Sequence, residues 1–277
     1  MLEQKLSNLK QIIAQYSSAL VAFSGGVDST FLLKVCLGVL GKDRVLAVTA
    51  KSATYPEREL NEAIKLAEML DARHRVIESE ELNIPGFSDN PPERCYYCKR
   101  ELFGKLKKIA EKEGLNFVLD GSNFDDTSDF RPGMKAVKEL GVKSPLKEAG
   151  LTKDDIRALS REMGLPTWDK PSFACLSSRF PYGEKITREK LERVGRAEEV
   201  LRDSGFSQYR VRSHGDMARI EVKPEEMGKF FDRTFREEVA TKLKSMGFTY
   251  VTLDLLGYRT GSLNEGLKEG EKALWKN

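Results

Sequence analysis

Histidine is scarce in this 277-residue sequence, which has only His74 and His214. A zinc site needs several nitrogen or sulfur ligands at close spacing, and these two residues lie far apart in the chain. Four cysteines in a chain of cytosolic character argue against a disulfide framework, so clustered ones are expected to be ligands or reactive thiols. No uncharged apolar run approaches the length that crosses a membrane, so no membrane span is expected.

A large excess of either charge is also missing. The chain has 46 lysines and arginines against 43 acidic residues, a formal net charge of +3. This excess does not by itself indicate a nucleic-acid-binding protein, although a local basic patch stays open. With 40% hydrophobic and 32% charged residues, the composition is typical of a soluble globular protein. Residues 1–5 start an amphipathic helix rather than a signal peptide, so we expect a cytoplasmic protein.

A glycine turn follows the first apolar run. Residues 19–23 have the pattern of a buried strand, Gly25 and Gly26 come next, and a helical pattern then runs to about residue 40. A strand, turn and helix in this order present free backbone N–H groups and the positive end of a helix dipole, which bind an anion. Ser24 and Ser29 add hydroxyl donors, so the turn is a candidate phosphate site.

Asp28 stands where a phosphate-binding P-loop has lysine. The pattern GxxxxGK[ST] places lysine directly before the hydroxyl residue, and here Asp28 precedes Ser29. A carboxylate among phosphates makes sense if it holds Mg²⁺. The alternative is an ordinary helix cap, in which Ser24 or Asp28 satisfies free N–H groups. One polar residue suffices for a cap, and this stretch has several, which favours the phosphate site.

Strand and helix patterns alternate over the first part of the chain. Strands are predicted at residues 19–23, 45–49, 73–77 and 116–119, with helices at 56–70, 95–113 and 152–163. This alternation predicts an α/β fold with a parallel sheet and right-handed crossovers. Ligands then bind beyond the carboxyl ends of the strands, where the glycine turn, residues 50–52 and residues 120–122 fall.

The pattern changes near residue 165. Residues 165–171 contain two prolines and no periodicity, which indicates a linker. A helix is then predicted at 187–204, short strands at 209–213 and 218–222, one or two helices between 224 and 246, and a strand at 249–254. We therefore predict two domains, residues 1–165 with the parallel sheet and residues 166–277 as a smaller α+β domain.

Cys95 and Cys98 form a CxxC at the start of a predicted helix. A helix N-terminus and neighbouring cations lower thiol pKa values, so both thiols are expected to be partly thiolate. Neither a second ligand pair for zinc nor a thioredoxin-like unit accompanies them. Together with Cys175, three thiolates suit a [4Fe–4S] cluster with one iron open to sulfide. A pair of inert, partly buried cysteines is the alternative.

Cys175 follows the linker in an irregular segment, at the predicted domain interface. Active sites are commonly built on loops at such interfaces. Lys170 and Arg179 are expected to favour its thiolate, and the alternative is a small apolar residue under a loop. Cys36 lies in a strongly apolar helix and is expected to be a buried structural thiol.

Three arginines form a candidate anion site. Arg210 and Arg212 alternate on a predicted strand, so both guanidinium groups lie on one face and suit a phosphate or carboxylate. Arg259 is expected to join them. The alternative is a set of salt bridges on a solvated face, with Glu198, Glu199 or Asp216.

The string SGGVDS at residues 24–29 resembles the PP-loop of the N-type ATP pyrophosphatase superfamily. That resemblance implies cleavage of ATP between its α- and β-phosphates, with adenylation of a substrate oxygen. With Gly121-Ser122-Asn123 and the Cys175 segment PSFACLSSRFPYGEKIT, the whole chain resembles the LarE family of ATP-dependent sulfur transferases. The implied fold is a PP-loop (adenine nucleotide alpha hydrolase-like) domain followed by the smaller α+β domain.

The LarE resemblance implies a reaction in the biosynthesis of the nickel-pincer nucleotide cofactor. ATP adenylates a carboxylate of pyridinium-3,5-biscarboxylic acid mononucleotide, pyrophosphate leaves, and sulfur then displaces AMP. In one branch of the family, the cysteine at the Cys175 position gives up its own sulfur. In the other, three cysteines hold a [4Fe–4S] cluster. Because Cys95 and Cys98 accompany Cys175 here, we expect the cluster branch.

The resemblance also implies residue roles. Asp28 and Cys175 are expected to be catalytic, with Asp28 in contact with Mg²⁺. The residues expected to bind ATP are Ala22, Ser24, Gly25, Gly26, Val27, Asp28, Ser29 and Gly121. The expected cluster ligands are Cys95, Cys98 and Cys175, and the expected anchors of the substrate phosphate are Arg210, Arg212 and Arg259.

Three rival functions stay open. A PP-loop tRNA thiolase also combines a CxxC with a third cysteine, but the small net charge and the lack of a spare RNA-binding module count against it. An amidating PP-loop enzyme leaves the cysteines unused, and an ATP-binding sensor predicts no pyrophosphate release. We expect a homo-oligomer with a mononucleotide substrate and a sulfide donor, and no membrane or nucleic-acid partner. Thiolation requires Cys175 on the same side of the molecule as Asp28.

Overall fold

A parallel sheet forms the centre of the first part of the chain. In the computed structural model, which describes residues 2–127, 132–268 and 270, its strands pair in the order β3–β2–β1–β4. They are β1 (Ala19–Ala22), β2 (Val45–Lys51), β3 (Arg73–Glu78) and β4 (Phe117–Leu119). Every pair is parallel. The predicted α/β fold is confirmed, and each strand ends within two residues of its predicted bounds.

Helices cover both faces of this sheet. They are α1 (Leu2–Ala14), α2 (Val27–Leu40), α3 (Glu57–Met69), α4 (Arg94–Lys112), α5 (Gly133–Glu139), α6 (Pro145–Glu148) and α7 (Lys153–Glu162). Side chains alternate along each strand, so Val21 and Ala47 pack with α1, α2 and α3, whereas Leu20 and Val48 pack with α4 and α5. Burial on both faces explains why the strands are continuous apolar runs in the sequence.

The short helices α5 and α6 are missing from the sequence-based prediction. They have seven and four residues, which is too short for an apolar period to show. α6 starts with Pro145, a residue that suits the first turn of a helix but indicates a turn when the sequence is read alone.

A second sheet lies in the last part of the chain. Its strands β5 (Tyr209–His214), β6 (Met217–Val222) and β7 (Tyr250–Leu253) pair in that order, antiparallel between β5 and β6 and parallel between β6 and β7. Two helices, α8 (Arg188–Asp203) and α9 (Arg233–Ser245), pack on it around Leu191, Val211 and Leu243. A 3₁₀ helix, Pro224–Phe231, precedes α9. This sheet with its helices is a smaller unit of mixed α and β structure.

The two sheets have separate apolar cores. Leu165 belongs to the core of the parallel sheet and Leu176 to the core of the second sheet. The residues between them connect the cores, in keeping with a linker, and the boundary at residue 165 stays a prediction. None of the helices in the described ranges is both long and apolar enough to cross a membrane.

Candidate active site

The glycine turn lies between β1 and α2, at the carboxyl edge of the parallel sheet. Gly25 has a φ of 64°, and a Cβ there would lie 2.9 Å from Cα of Ala63 on α3, so the position requires glycine. Ser29 Oγ lies 3.1 Å from Ser24 Oγ. The helix α2 begins after Gly26 without a side-chain cap, which leaves its first N–H groups available to an anion and argues against the simple helix-cap interpretation.

Asp28 projects from the first turn of α2 and is held by two side chains. Its Oδ2 lies 2.5 Å from Nζ of Lys153, and its Oδ1 accepts a hydrogen bond from Nδ2 of Asn123 at 3.3 Å. Lys153 is the first residue of α7 and follows Asp28 by 125 residues. A lysine therefore does reach this turn, although it is not the neighbour in sequence that a P-loop has.

The loop after β4 packs directly against the first turn of α2. A Cβ at Gly121 would lie 3.2 Å from the backbone nitrogen of Ser29, closer than most Cβ contacts. Asp120 is buried beside it, and its carboxylate accepts hydrogen bonds from the hydroxyls of Ser122 and Ser144, both at 2.6 Å. The end of β4 is thus fixed next to the glycine turn.

A cavity of about 590 Å³ opens between these elements, a volume typical of small-molecule sites. Its lining includes the glycine turn with the start of α2, the loop after β4, and residues 170–173 at the end of the linker, together with side chains of α3, α4 and α7. Of the predicted ATP-binding residues, the lining includes Ala22, Ser24, Gly26, Val27, Asp28, Ser29 and Gly121. Gly25 packs against α3 instead. The lysines of the lining are Lys99, Lys153 and Lys170.

Cys175 follows this cavity wall by two residues, since Phe173 is part of the lining. The N–H of Leu176 donates to the carbonyl of Thr54 at 2.9 Å, which fixes the Cys175 segment against the loop after β2. Cys98 precedes the lining residue Lys99 on α4. Close sequence neighbours of Cys98 and Cys175 thus line the cavity that contains Asp28, in keeping with the arrangement that thiolation requires.

The three thiols of Cys95, Cys98 and Cys175 lie close enough to affect one another electrostatically. Negative charge on Cys95 or Cys175 raises the pKa of Cys98, and negative charge on Cys95 raises that of Cys175. The folded chain thus brings together the CxxC and a cysteine far away in sequence. Within the described ranges, no three side chains of His, Cys, Asp or Glu are arranged to hold a single metal ion.

The prediction of thiolates is wrong for Cys98. Burial raises its pKa well above the ordinary value, and the nearby charge of Glu81 raises it further. Burial also raises the pKa of Cys175, although the guanidinium of Arg94 opposes the shift. The loss of hydration thus outweighs the neighbouring cations. Cys36 is buried in the core with a pKa raised to about 12, as expected for a structural thiol.

Carboxylates already pair with two of the three predicted anion-binding arginines. Arg212 donates to both oxygens of Glu221, at 3.0 and 2.9 Å. Arg259 pairs with Asp254 at 3.3 Å and with Glu265 at 3.2 Å. Salt bridges were the alternative interpretation, and they are present with other partners than those expected. For these two arginines, the role in phosphate binding stays a prediction.

Arg210 differs from the other two arginines. One of its terminal nitrogens donates to the carbonyl of Ser172 and the other to the carbonyl of Tyr209, both at 2.6 Å, and neither of these partners is charged. Burial, together with the charge of Arg179, lowers the pKa of Arg210 to about 10, although the charge of Glu198 opposes the shift. Arg210 also lines a second cavity, of about 570 Å³, on the other side of residues 171–173. Of the three, it is the arginine with most to gain from an anion.

Several side chains of the site have contacts that the sequence did not predict. The Tyr55 hydroxyl donates to the carbonyl of Ser24 at 2.5 Å. Lys170, expected beside Cys175, instead lies 2.9 Å from Glu59 and 2.7 Å from Glu62. Lys153 follows a recognisable helix start, but nothing near it in the sequence points to Asp28. These contacts depend on how α3 and α7 pack, which no local pattern records.

Comparison with known proteins agrees with this architecture. The NAD synthase family model matches residues 1–86, which include the glycine turn. An uncharacterized protein of Synechocystis sp. is 48% identical over 96% of this chain and 99% of its own length. The pyridinium-3,5-bisthiocarboxylic acid mononucleotide synthase of Lactiplantibacillus plantarum, a LarE protein, is 41% identical over 99% of both chains. The chain belongs to the LarE family.

Membership of the LarE family makes the chain an enzyme, an ATP-dependent sulfurtransferase. The family predicted from SGGVDS and the Cys175 segment is thereby confirmed. A more distant relative, an uncharacterized protein of Methanocaldococcus jannaschii, is 32% identical over 94% of both chains. The similarity extends over almost the whole length of the chain. It therefore includes the residues of the second sheet as well as those that line the cavity beside the glycine turn.

Proposed function

We propose that this LarE protein uses Mg²⁺ and ATP to adenylate a carboxylate of pyridinium-3,5-biscarboxylic acid mononucleotide and then delivers sulfur to the activated carbon. One observation supports this most directly. The same cavity is lined by the glycine turn with Asp28 and by residues 171–173, which lead to Cys175. The cysteine segments thus adjoin the cavity in which an adenylate would form.

The glycine turn supplies the ATP-binding half of the site. The uncapped N-terminus of α2 and the Ser24 and Ser29 hydroxyls bind phosphate oxygens, since they are donors on a concave surface. The donor set at Asp28 fits Mg²⁺, because oxygen ligands are the ones this ion prefers. When bound, Mg²⁺ neutralises phosphate charge at the bond that breaks. The Gly121 backbone is expected to border the nucleotide.

The cysteines supply the sulfur-transfer half of the site. Three neighbouring thiols fit a [4Fe–4S] cluster, because each thiol can lose its proton on binding and ligate a separate iron. Cys95, Cys98 and Cys175 would hold it, and one iron would then be open to a sulfide. Sacrificial transfer from Cys175 is the alternative, and it needs only that thiol beside the cavity.

The Arg210 guanidinium is the first candidate anchor for the phosphate of the mononucleotide. It is buried, its hydrogen bonds within the described residues go to carbonyl groups and to no carboxylate, and Glu198 acts on it only through its charge. Arg210 donates to Ser172, in the segment that lines the cavity beside the glycine turn. Arg212 adds positive charge near it, although Arg212 and Arg259 are both paired with carboxylates. Phe173 lies between the two cavities and helps to keep water from an acyl-adenylate.

Two variants test the division of the site into an activating half and a sulfur-transfer half. Asp28→Asn is expected to abolish both pyrophosphate release and the thiolated product. Cys175→Ser is expected to keep substrate-dependent pyrophosphate release while losing the thiolated product. Cys36→Ala is the matched thiol control and is expected to keep both reactions. Full thiolation by Cys175→Ser, or no pyrophosphate release by the unaltered protein with this mononucleotide, contradicts the proposal.

A second experiment separates the two sources of sulfur. The protein is purified without oxygen, its iron and acid-labile sulfide are assayed, and the mass of Cys175 is measured after turnover. The cluster branch predicts bound iron and an unchanged cysteine. Loss of the elements of hydrogen sulfide from Cys175 supports sacrificial transfer instead. The same preparation, analysed by light scattering, tests the expected homo-oligomer.

A further inference from the structure

The backbone of Lys153 is held on several sides at the start of α7. Thr152 and Asp155 form a capping box, with hydrogen bonds of 3.2 and 3.0 Å between side chains and backbone. The N–H of Lys153 donates to Asp125 at 2.8 Å, and Lys5 of α1 pairs with Asp155 at 2.5 Å. The start of the Lys153 side chain is therefore fixed relative to the cavity.

The ammonium end of Lys153 is in a different situation. Its side chain is 28% exposed, lines the cavity, and forms an ion pair with Asp28. A lysine stem is long and flexible, so its charged end can change partner while its backbone stays in place. The cavity is open where a nucleotide would enter, and the ammonium group already lies on its wall.

Asp28 cannot keep this partner once it binds Mg²⁺. The Oδ2 atom is 2.5 Å from the ammonium nitrogen, and a divalent cation bound at the same oxygen would repel the ammonium group at close range. The displaced ammonium would need a new anion nearby. The phosphates of ATP, bound at the same turn, are the negative charges that arrive together with the metal.

We propose that Lys153 is a phosphate-binding residue that changes partner, pairing with Asp28 in the nucleotide-free protein and with an ATP phosphate oxygen when Asp28 binds Mg²⁺. It then supplies, from a distant part of the chain, the positive charge that a P-loop takes from its own lysine. The inference rests on the proposed function, because it takes Mg²⁺ and ATP as the ligands of this turn.

The test measures binding rather than turnover. Lys153→Gln and Lys153→Arg are compared with the unaltered protein and with Lys147→Gln, which removes the same charge from the neighbouring helix α6. Calorimetry with Mg²⁺ and α,β-methylene-ATP measures nucleotide affinity. Electron paramagnetic resonance with Mn²⁺ and no nucleotide measures metal affinity. Circular dichroism checks that each variant is folded.

Opposite shifts are expected in Lys153→Gln. Nucleotide affinity falls about 10- to 100-fold, since one charge-assisted hydrogen bond is lost. Mn²⁺ affinity rises, because the competing cation has left Asp28. Lys153→Arg restores part of the nucleotide affinity and Lys147→Gln changes neither quantity. Unchanged nucleotide affinity or weaker Mn²⁺ binding in Lys153→Gln overturns the inference while the proposed function stands. If the unaltered protein binds no nucleotide with Mg²⁺, the proposed function itself fails.

Discussion

At the scale of single residues, burial decides how the titratable side chains behave. The ring of His74 has Nε2 2.9 Å from the Thr49 hydroxyl and lies edge-on to Phe23, and its burial lowers its pKa. Burial and the charge of Arg219 likewise lower the pKa of His214. In both cases the folded protein binds a proton less readily than the unfolded chain does.

His74 is expected to make the protein less stable in mild acid. A lowered pKa means that the unfolded chain takes up more protons below the ordinary histidine pKa of about 6.5. Stability is therefore full above that pH and falls as the pH drops towards the pKa of the folded state. The melting temperature should decrease from about pH 7 to about pH 5.

The control for this prediction is His74→Gln, which keeps a hydrogen-bonding group opposite Thr49 but does not titrate. The variant should lose less stability over the same pH range, while His214 still contributes part of the decrease. An identical pH dependence in both proteins would show that His74 is not a source of the effect.

At the scale of elements, the site depends on close contact between the glycine turn and its neighbours. Gly25 touches α3 through Ala63, and Gly121 touches the start of α2 through Ser29. The same turn binds Tyr55, beyond the end of β2, through its hydroxyl. Two helices and the ends of three strands thus meet where the phosphates are proposed to bind, and small residues make this approach possible.

Gly25→Ala should damage both stability and nucleotide binding. Alanine is disfavoured by about 1–2 kcal/mol at the positive φ of this position. Its Cβ would also overlap Ala63 and push α3 away from the turn. Urea unfolding and calorimetry with Mg²⁺ and α,β-methylene-ATP measure the two effects, and the expected result is a less stable protein with weaker nucleotide binding.

Gly38→Ala is the matched control for the same substitution. Gly38 lies on the exposed side of α2, and a Cβ there would meet no atom within 4 Å. Alanine favours a helix over glycine by about 0.5–1 kcal/mol, so this variant should be slightly more stable with unchanged nucleotide binding. Equal effects of the two substitutions would argue against a special role of the turn.

At the scale of the whole molecule, a buried ion pair connects the Cys175 segment to the second sheet. Arg179, with no exposed surface, donates to both oxygens of Glu198 on α8, at 2.7 and 3.0 Å. Glu198 also accepts a hydrogen bond from the N–H of Val211 on β5. Arg179 further donates to the carbonyl of Ala174. These contacts thus fix the segment that contains Cys175 to the second unit.

Removing one member of this pair should cost far more than an exposed salt bridge. Arg179→Met leaves the Glu198 carboxylate buried without its cation, and the expected loss is about 3–5 kcal/mol of unfolding free energy. Arg179→Met with Glu198→Leu should cost less than the sum of the two single variants, because no charge is then left alone. Urea unfolding of the three variants measures this coupling, and additive losses would show that the pair is not coupled.

Much of this architecture was predictable, and the reasons are local. The strands could be predicted because parallel strands buried on both faces are apolar runs in the sequence. SGGVDS marks the turn because its glycines and hydroxyls are neighbours in sequence. The position of Asp28 followed from that motif. The pKa of Cys98 was not predictable, because the amount of water removed from its thiol depends on segments far away in the chain. The partners of Arg212 and Arg259 were missed for the same reason.

By itself, the amino-acid sequence determined the order of strands and helices, the phosphate-binding turn and the LarE family. Those features depend on residues that are close together in the chain. The tertiary structure alone decided that Lys153 pairs with Asp28, that Cys175 lies beside Cys95 and Cys98, and that burial raises the pKa of Cys98. Ion pairs and desolvation act over a few ångströms in space, and only folding brings residues so distant in sequence within that range.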